Sequence, residues 1–118
     1  MTPPEIMAGM KKKNLELSMK NDEYILLAEK RALCERAYNV ALAAATLRLK
    51  TDGLSIGLIG TLAKADETAA KLKFEYEVSM AVEKACLQAI KSTVIGIDSY
   101  RSLLSWQKAE KGRPPDGP

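Results

Sequence analysis

The chain has 118 residues, which is enough for one modest domain. Apolar residues make up 47% and charged residues 28%, a balance that predicts a folded chain and excludes a disordered one. The net charge of +3 is compatible with nucleic acid but far below the excess of a typical nucleic-acid-binding arm. No run approaches the ~18–20 apolar residues of a membrane span, and the N-terminus lacks the apolar core of a signal peptide. We therefore expect a cytoplasmic protein with no membrane partner.

The first predicted element is a helix from about residue 4 to residue 50. It opens at Pro3-Pro4-Glu5, where proline is tolerated in a first turn and an acid suits the helix dipole. Polar Lys20-Asn21-Asp22 leaves two collinear helices as an alternative. A glycine-containing linker is expected at 51–60, and Asp52-Gly53 predicts the helix stop, with the glycine in the left-handed conformation.

The second predicted helix runs from about 61 to 111, or begins at Asp66, whose side chain suits an N-cap. Residues 112–118 read as a frayed tail. Two long helices predict an all-α fold, an antiparallel coiled-coil-like hairpin that assembles into a homo-oligomer, within a single domain of residues 1–118. Apolar and small residues recur at intervals of three and four and form the predicted seam of the second helix: Ala69, Leu72, Tyr76, Ser79, Glu83, Cys86, Ile90, Thr93, Ile97, Tyr100 and Leu104.

The end of this helix carries a second apolar face. Ile95, Leu103 and Trp106 lie nearly opposite Ile90 and Ile97 at 100° per residue, and a surface helix needs only one apolar stripe. We expect other subunits to cover this face, and the predicted oligomer interface is Ile95, Ser99, Leu103 and Trp106. The alternative is a short N-terminal helix that folds back onto it.

The composition argues against catalysis. The chain has no histidine, and neither Cys34 nor Cys86 lies in a nucleophile motif. Both cysteines are expected to be buried, reduced thiols, with a disulfide between the two helices as the alternative. No phosphate-binding or metal-binding pattern is present, so no catalytic residue, metal or cofactor is predicted.

Basic side chains suggest contact with a phosphate backbone. The candidate nucleic-acid-binding residues form three groups: Lys11, Lys12 and Lys13; Arg48 and Lys50; and Lys73, Lys84 and Lys91. The last group lies within about 20° on the second helix. Repeated around an oligomer, such lysines would form a positive track that binds single strands without reading their sequence. A solubilising surface is the alternative.

Residues 40 to 108 resemble the UvsY-like recombination mediators of tailed phages. The likeness lies in Leu62–Asp66, the lysine and aromatic stretch Lys73, Phe74 and Tyr76, the A-I-K-S step Ala89–Ser92 and the isoleucine-rich helix end. The preceding ALAAATLRLKTDG resembles the basic helix end and linker of that family, with the family's Lys-x-Arg pair reversed as Arg48-x-Lys50.

The resemblance implies a non-enzymatic helical ring that binds single-stranded DNA. Such a ring would help a RecA-type recombinase to displace single-strand-binding protein, and its C-terminal helix would carry the assembly. The rival hypotheses are a coiled-coil structural or assembly protein, such as a phage scaffold or chaperone, and a small helical inhibitor of a host protein.

Overall fold

A computed structural model describes residues 1–112, which form three helices: α1 (Pro3–Thr51), α2 (Ile56–Lys64) and α3 (Glu67–Lys111). This range contains no strand, and the predicted all-α class is confirmed. α1 continues without a break through Lys20-Asn21-Asp22, so this segment is one helix and not two. The frayed tail predicted for 112–118 lies outside the described residues from position 113 onward.

Local chemistry accounts for both ends of α1. At its start, the Thr2 amide donates to Glu5 Oε2 at 3.1 Å, and the Glu5 amide donates to Thr2 Oγ1 at 3.3 Å, which is a capping box. At its end, Gly53 has the predicted left-handed conformation, with φ at 81°. The Gly53 amide donates to the Lys50 carbonyl and the Leu54 amide to the Leu49 carbonyl, which is the Schellman pattern.

The predicted linker 51–60, and a second helix beginning at 61, are wrong in their bounds. Ile56–Lys64 is a helix of its own, with Ser55 as the residue before it, and Ile59 and Ala63 are its buried positions. α3 then begins at Glu67, as the Asp66 alternative predicts, because Asp66 Oδ2 accepts the Ala69 amide at 3.0 Å. The sequence pattern did not predict this short helix because Gly57 and Gly60 are poor helix formers.

The chain divides into two compact units. The first comprises Met1–Glu23 and the chain from Cys86 onward, and the second comprises Tyr24–Ala85. In the first unit α1 and α3 run antiparallel: Gly9 lies against Tyr100, and Cys86 Sγ lies 3.6 Å from the Lys20 carbonyl oxygen. Ile6 is fully buried in this unit.

In the second unit α1 and α3 also run antiparallel. Tyr38 stacks on Tyr76 with ring centroids 6.3 Å apart, and Arg48 pairs with Asp66. Small side chains are buried where the helices meet, including Ala45 and Ala69. Antiparallel pairing within each unit is the packing that a helical hairpin requires.

The predicted seam of α3 lies on its packed face. Every residue of that seam, from Ala69 to Leu104, is buried or half-buried. The polar members Ser79 and Thr93 bond to carbonyl oxygens one turn back in α3, at 2.6 Å to Tyr76 and 2.9 Å to Ala89. Their hydroxyls are therefore satisfied within the helix, which lets them occupy a buried position.

Candidate interaction surfaces

The described residues contain no candidate metal site. Within residues 1–112, no three His, Cys, Asp or Glu side chains gather in a way that could hold a metal ion. Both cysteines are free: Cys86 is buried in the first unit, and Cys34 is half-buried in the second. Cys34 lines an apolar groove there together with Leu27, Phe74 and Val78. The exposed surfaces of the helices are further candidate sites.

The outer face predicted on α3 is open to solvent. Ile95 is 66% exposed, Trp106 64% and Leu103 44%, and Ser99 is exposed with its hydroxyl bonded to the Ile95 carbonyl at 3.0 Å. The N-terminal end of α1 reaches the edge of this face, where Pro3 and Trp106 line one hollow and Gln107 Nε2 donates to the Met1 carbonyl at 2.6 Å, yet the indole stays mostly exposed. The alternative, in which an N-terminal helix folds back and covers this face, therefore does not account for the exposed indole of Trp106.

The basic residues at the start and end of α1 differ in their surroundings. Lys11 and Lys12 are exposed, whereas Lys13 is half-buried and its Nζ pairs with Glu16 Oε2 at 3.3 Å. Lys50 is exposed in the last turn of α1.

Arg48 links the last turn of α1 to the residue that precedes α3. Its Nη2 lies 2.6 Å from Asp66 Oδ1, and the same carboxylate caps α3. The pKa of Asp66 is lowered first by the Ala69 amide and then by the Arg48 guanidinium, since both stabilise its charged form. The structure therefore gives Arg48 a structural partner that a DNA phosphate would have to displace.

The α3 lysines remain available. Lys73 and Lys84 in the second unit and Lys91 in the first are exposed, and no ion pair within residues 1–112 includes them. Glu77 follows Lys73 by one turn and places an acid on the same side of the helix. Together with the α1 residues, the predicted nucleic-acid-binding set is thus divided between the two units: Lys11, Lys12, Lys13 and Lys91 in the first, Arg48, Lys50, Lys73 and Lys84 in the second.

α1 carries an exposed apolar stripe that was not predicted from the sequence. In the second unit Leu26, Leu33, Val40 and Leu47 are 62–66% exposed, each seven residues from the next. A repeat of seven places side chains along one face of a helix that winds around another helix. The spacing alone could have identified the stripe, but the sequence did not show which face of α1 would remain unpacked.

α2 exposes a second small apolar surface. Ile56 is 91% exposed, and Leu58 and Leu62 are also exposed, while Ile59 and Ala63 are buried within the second unit. This helix is therefore buried along one side only.

No described helix has the length and apolar content of a membrane span. The sequence matches no protein-family model, no curated protein and no solved structure.

Proposed function

We propose that this protein is a non-enzymatic helical assembly protein that self-associates through the outer face of α3. The observation that carries the proposal is the exposure of Trp106, together with Ile95 and Leu103, on a helix whose other face is already buried. Burial of apolar surface contributes roughly 25 cal/mol per Å2, so covering a tryptophan and two aliphatic side chains is worth several kcal/mol. A second subunit would supply that cover.

The test is the variant Leu103→Glu with Trp106→Glu. Carboxylates on this face would oppose its desolvation, so sedimentation velocity should show species of lower mass than the parent. The matched control is Phe74→Glu with Val78→Glu, which alters an exposed aromatic and an exposed aliphatic residue of α3 in the other unit. An unchanged mass for the Leu103 and Trp106 variant, or an equal loss in the control, would contradict the proposal.

The second candidate is the recombination mediator that the resemblance implies. Three exposed lysines outside any described ion pair, Lys73, Lys84 and Lys91, support it. An assembly that repeats them would hold the phosphates of single-stranded DNA and assist a RecA-type recombinase against single-strand-binding protein, with no covalent step.

Fluorescence anisotropy with an oligothymidine strand tests this candidate. Binding should weaken steeply between about 50 and 200 mM salt, and the triple substitution of these three lysines by glutamine should reduce the salt slope by roughly 0.7 per lost phosphate contact. Substituting Lys64, Lys71 and Lys108 by glutamine is the control for net charge. Arg48→Ala is a poor test, because it also removes the partner of Asp66. If the parent protein does not bind the strand at low salt, this candidate is ruled out.

A further inference from the structure

The exposed stripe on α1 has the spacing of a helix that pairs with another helix. Leu26, Leu33, Val40 and Leu47 repeat every seven residues and are 62–66% exposed, and Leu72 of α3 borders the stripe where it lines a hollow with Leu33 and Val40. A two-helix seam has an apolar side chain at two positions in every seven residues, and this stripe fills one of the two. We infer that this face binds the same face of a second copy of this chain, with the two α1 helices antiparallel.

Two hollows on the same face have the form of knob-accepting holes. One contains the four residues Ala37, Val40, Ala41 and Ala44, with Leu33, Arg36 and Leu72 of α3 completing its lining. The other is formed by the four residues Glu29, Ala32, Leu33 and Arg36. Each set of four follows the spacing i, i+3, i+4 and i+7, which is the diamond that receives one side chain of a facing helix. The face therefore carries both knobs and holes.

An antiparallel pair with its two-fold axis between Arg36 and Ala37 matches knobs to holes. Leu33 of the second copy then enters the alanine-lined hollow, and Val40 of the second copy enters the hollow beside Leu33. The same contacts recur on the other side of the axis, as an isologous interface demands. The larger knob meets the smaller lining residues, so the face is complementary to itself, which identifies a second copy as its occupant.

The parallel arrangement fits less well. In register it would place Leu33 against Leu33, and would set Glu29, Arg36 and Lys50 each beside its own copy. Like charges at such short range oppose association. The antiparallel pair places Glu29 opposite Ala44 and leaves only Arg36 close to its own copy.

This inference rests on the proposed function in one respect, since it adds a second self-association face to an assembly protein. A chain that uses one isologous face stops at a dimer, whereas a chain with two distinct faces can assemble further. The α1 stripe is in the second unit and the α3 face is in the first, so variants can separate them.

Sedimentation velocity of Leu33→Asp with Val40→Asp is the first test. The variant should have a lower mass than the parent, while circular dichroism should be unchanged because both side chains are exposed. Phe74→Asp with Val78→Asp is the matched control, and it should keep the parent mass. If only the Leu103 and Trp106 variant loses mass, the α1 inference is overturned and the proposed function stands. If only the Leu33 and Val40 variant does, the α1 inference holds and the α3 interface fails.

Crosslinking with a short bismaleimide tests the orientation. In a Cys34→Ser background, Ala37→Cys lies next to the two-fold axis and should crosslink two copies efficiently. Leu26→Cys should not, since Leu26 pairs with Leu47 and its own copy would lie roughly 30 Å away at 1.5 Å per residue. Adding Leu47→Cys to Leu26→Cys should restore crosslinking. Efficient crosslinking of Leu26→Cys alone, or none in any variant, would overturn the inference.

Discussion

At the scale of single residues, the first unit depends on a close contact between helix backbone and an aromatic ring. A Cβ atom built on Gly9 would lie 2.7 Å from Cζ of Tyr100, which is far inside van der Waals distance. Gly96 differs, because its nearest neighbour would be the Lys13 side chain at an ordinary 3.7 Å. Both glycines lie inside helices, but an added Cβ atom would clash at Gly9 and would fit at Gly96.

We predict opposite effects of alanine at these two glycines. Gly9→Ala should lower the free energy of unfolding by about 1–3 kcal/mol, because the ring of Tyr100 has to move. Gly96→Ala should raise it by about 0.5–1 kcal/mol through helix propensity. Urea denaturation of both variants checks this, and a stabilised Gly9→Ala variant would show that Tyr100 moves aside at little cost.

Glu83 shows how the second unit accommodates a charge in its seam. Arg31 Nε donates to Glu83 Oε2 at 2.8 Å, Tyr24 donates to Glu83 Oε1 at 3.5 Å, and Arg31 Nη1 donates to Glu35 Oε2 at 2.9 Å. The pKa of Arg31 is raised, chiefly by the hydrogen bond to Glu83. Glu83 thus links α1 to α3, whereas Glu35 pairs only within α1.

Glu83→Ala should therefore lower the thermal midpoint more than Glu35→Ala does. Removing Glu83 leaves Arg31 without its partner on the facing helix, whereas the half-buried pair of Arg31 with Glu35 lies within one helix and joins no second element. Thermal unfolding followed by circular dichroism measures both variants. Equal shifts would mean that the contact between helices adds nothing beyond the local pair.

At the scale of elements, the start of α3 depends on one carboxylate. Asp66 caps the helix and accepts the Arg48 guanidinium, and both contacts lower its pKa. A carboxyl group whose pKa is lower in the folded state than in the unfolded state stabilises the folded state. The full contribution is present at pH values above the unfolded pKa of about 3.9, and it disappears as the pH falls through the folded pKa.

Asp66→Asn separates the charge from the cap. Asparagine still caps a helix but does not ionise, so the parent should be more stable than the variant at neutral pH. That difference should shrink as pH falls from about 5 toward 2, below the unfolded pKa of about 3.9. Thermal melts across this range test it, and a difference that stays constant would show that the charge of Asp66 contributes nothing.

At the scale of the whole molecule, large apolar side chains remain exposed on all three helices. They include Leu33 on α1, Ile56 on α2 and Trp106 on α3. Exposed apolar patches larger than single residues mark interaction sites in proteins. Anything that binds the folded state alone stabilises it, and the stabilisation by a second copy grows with the logarithm of the protein concentration.

The thermal midpoint should therefore rise with protein concentration. Melts over about a hundredfold range of concentration should show the rise in the parent, because association favours the folded chain. A variant that combines Leu33→Asp with Trp106→Glu should melt at a temperature independent of concentration. A concentration-independent midpoint in the parent would argue against self-association at either face.

The helices and most of their ends could be predicted from the amino-acid sequence. Gly53 as the stop of α1, Asp66 as the cap of α3 and the packed seam of α3 follow from near neighbours, since caps and periodicity involve residues a few positions apart. α2 was not predicted because its two glycines lower its helix propensity. Burial of Ile59 and Ala63 stabilises this short helix, and that burial depends on tertiary packing.

The residues of α1 that contact particular residues of α3 could not be predicted from the sequence. The contact of Gly9 with Tyr100 and the pair Arg31–Glu83 join positions far apart in the chain, and their alignment depends on the register of two helices. That register also decides which face of α1 is left over. The stripe at Leu33 was visible as a spacing, but its exposure follows from the packing of the opposite face of α1.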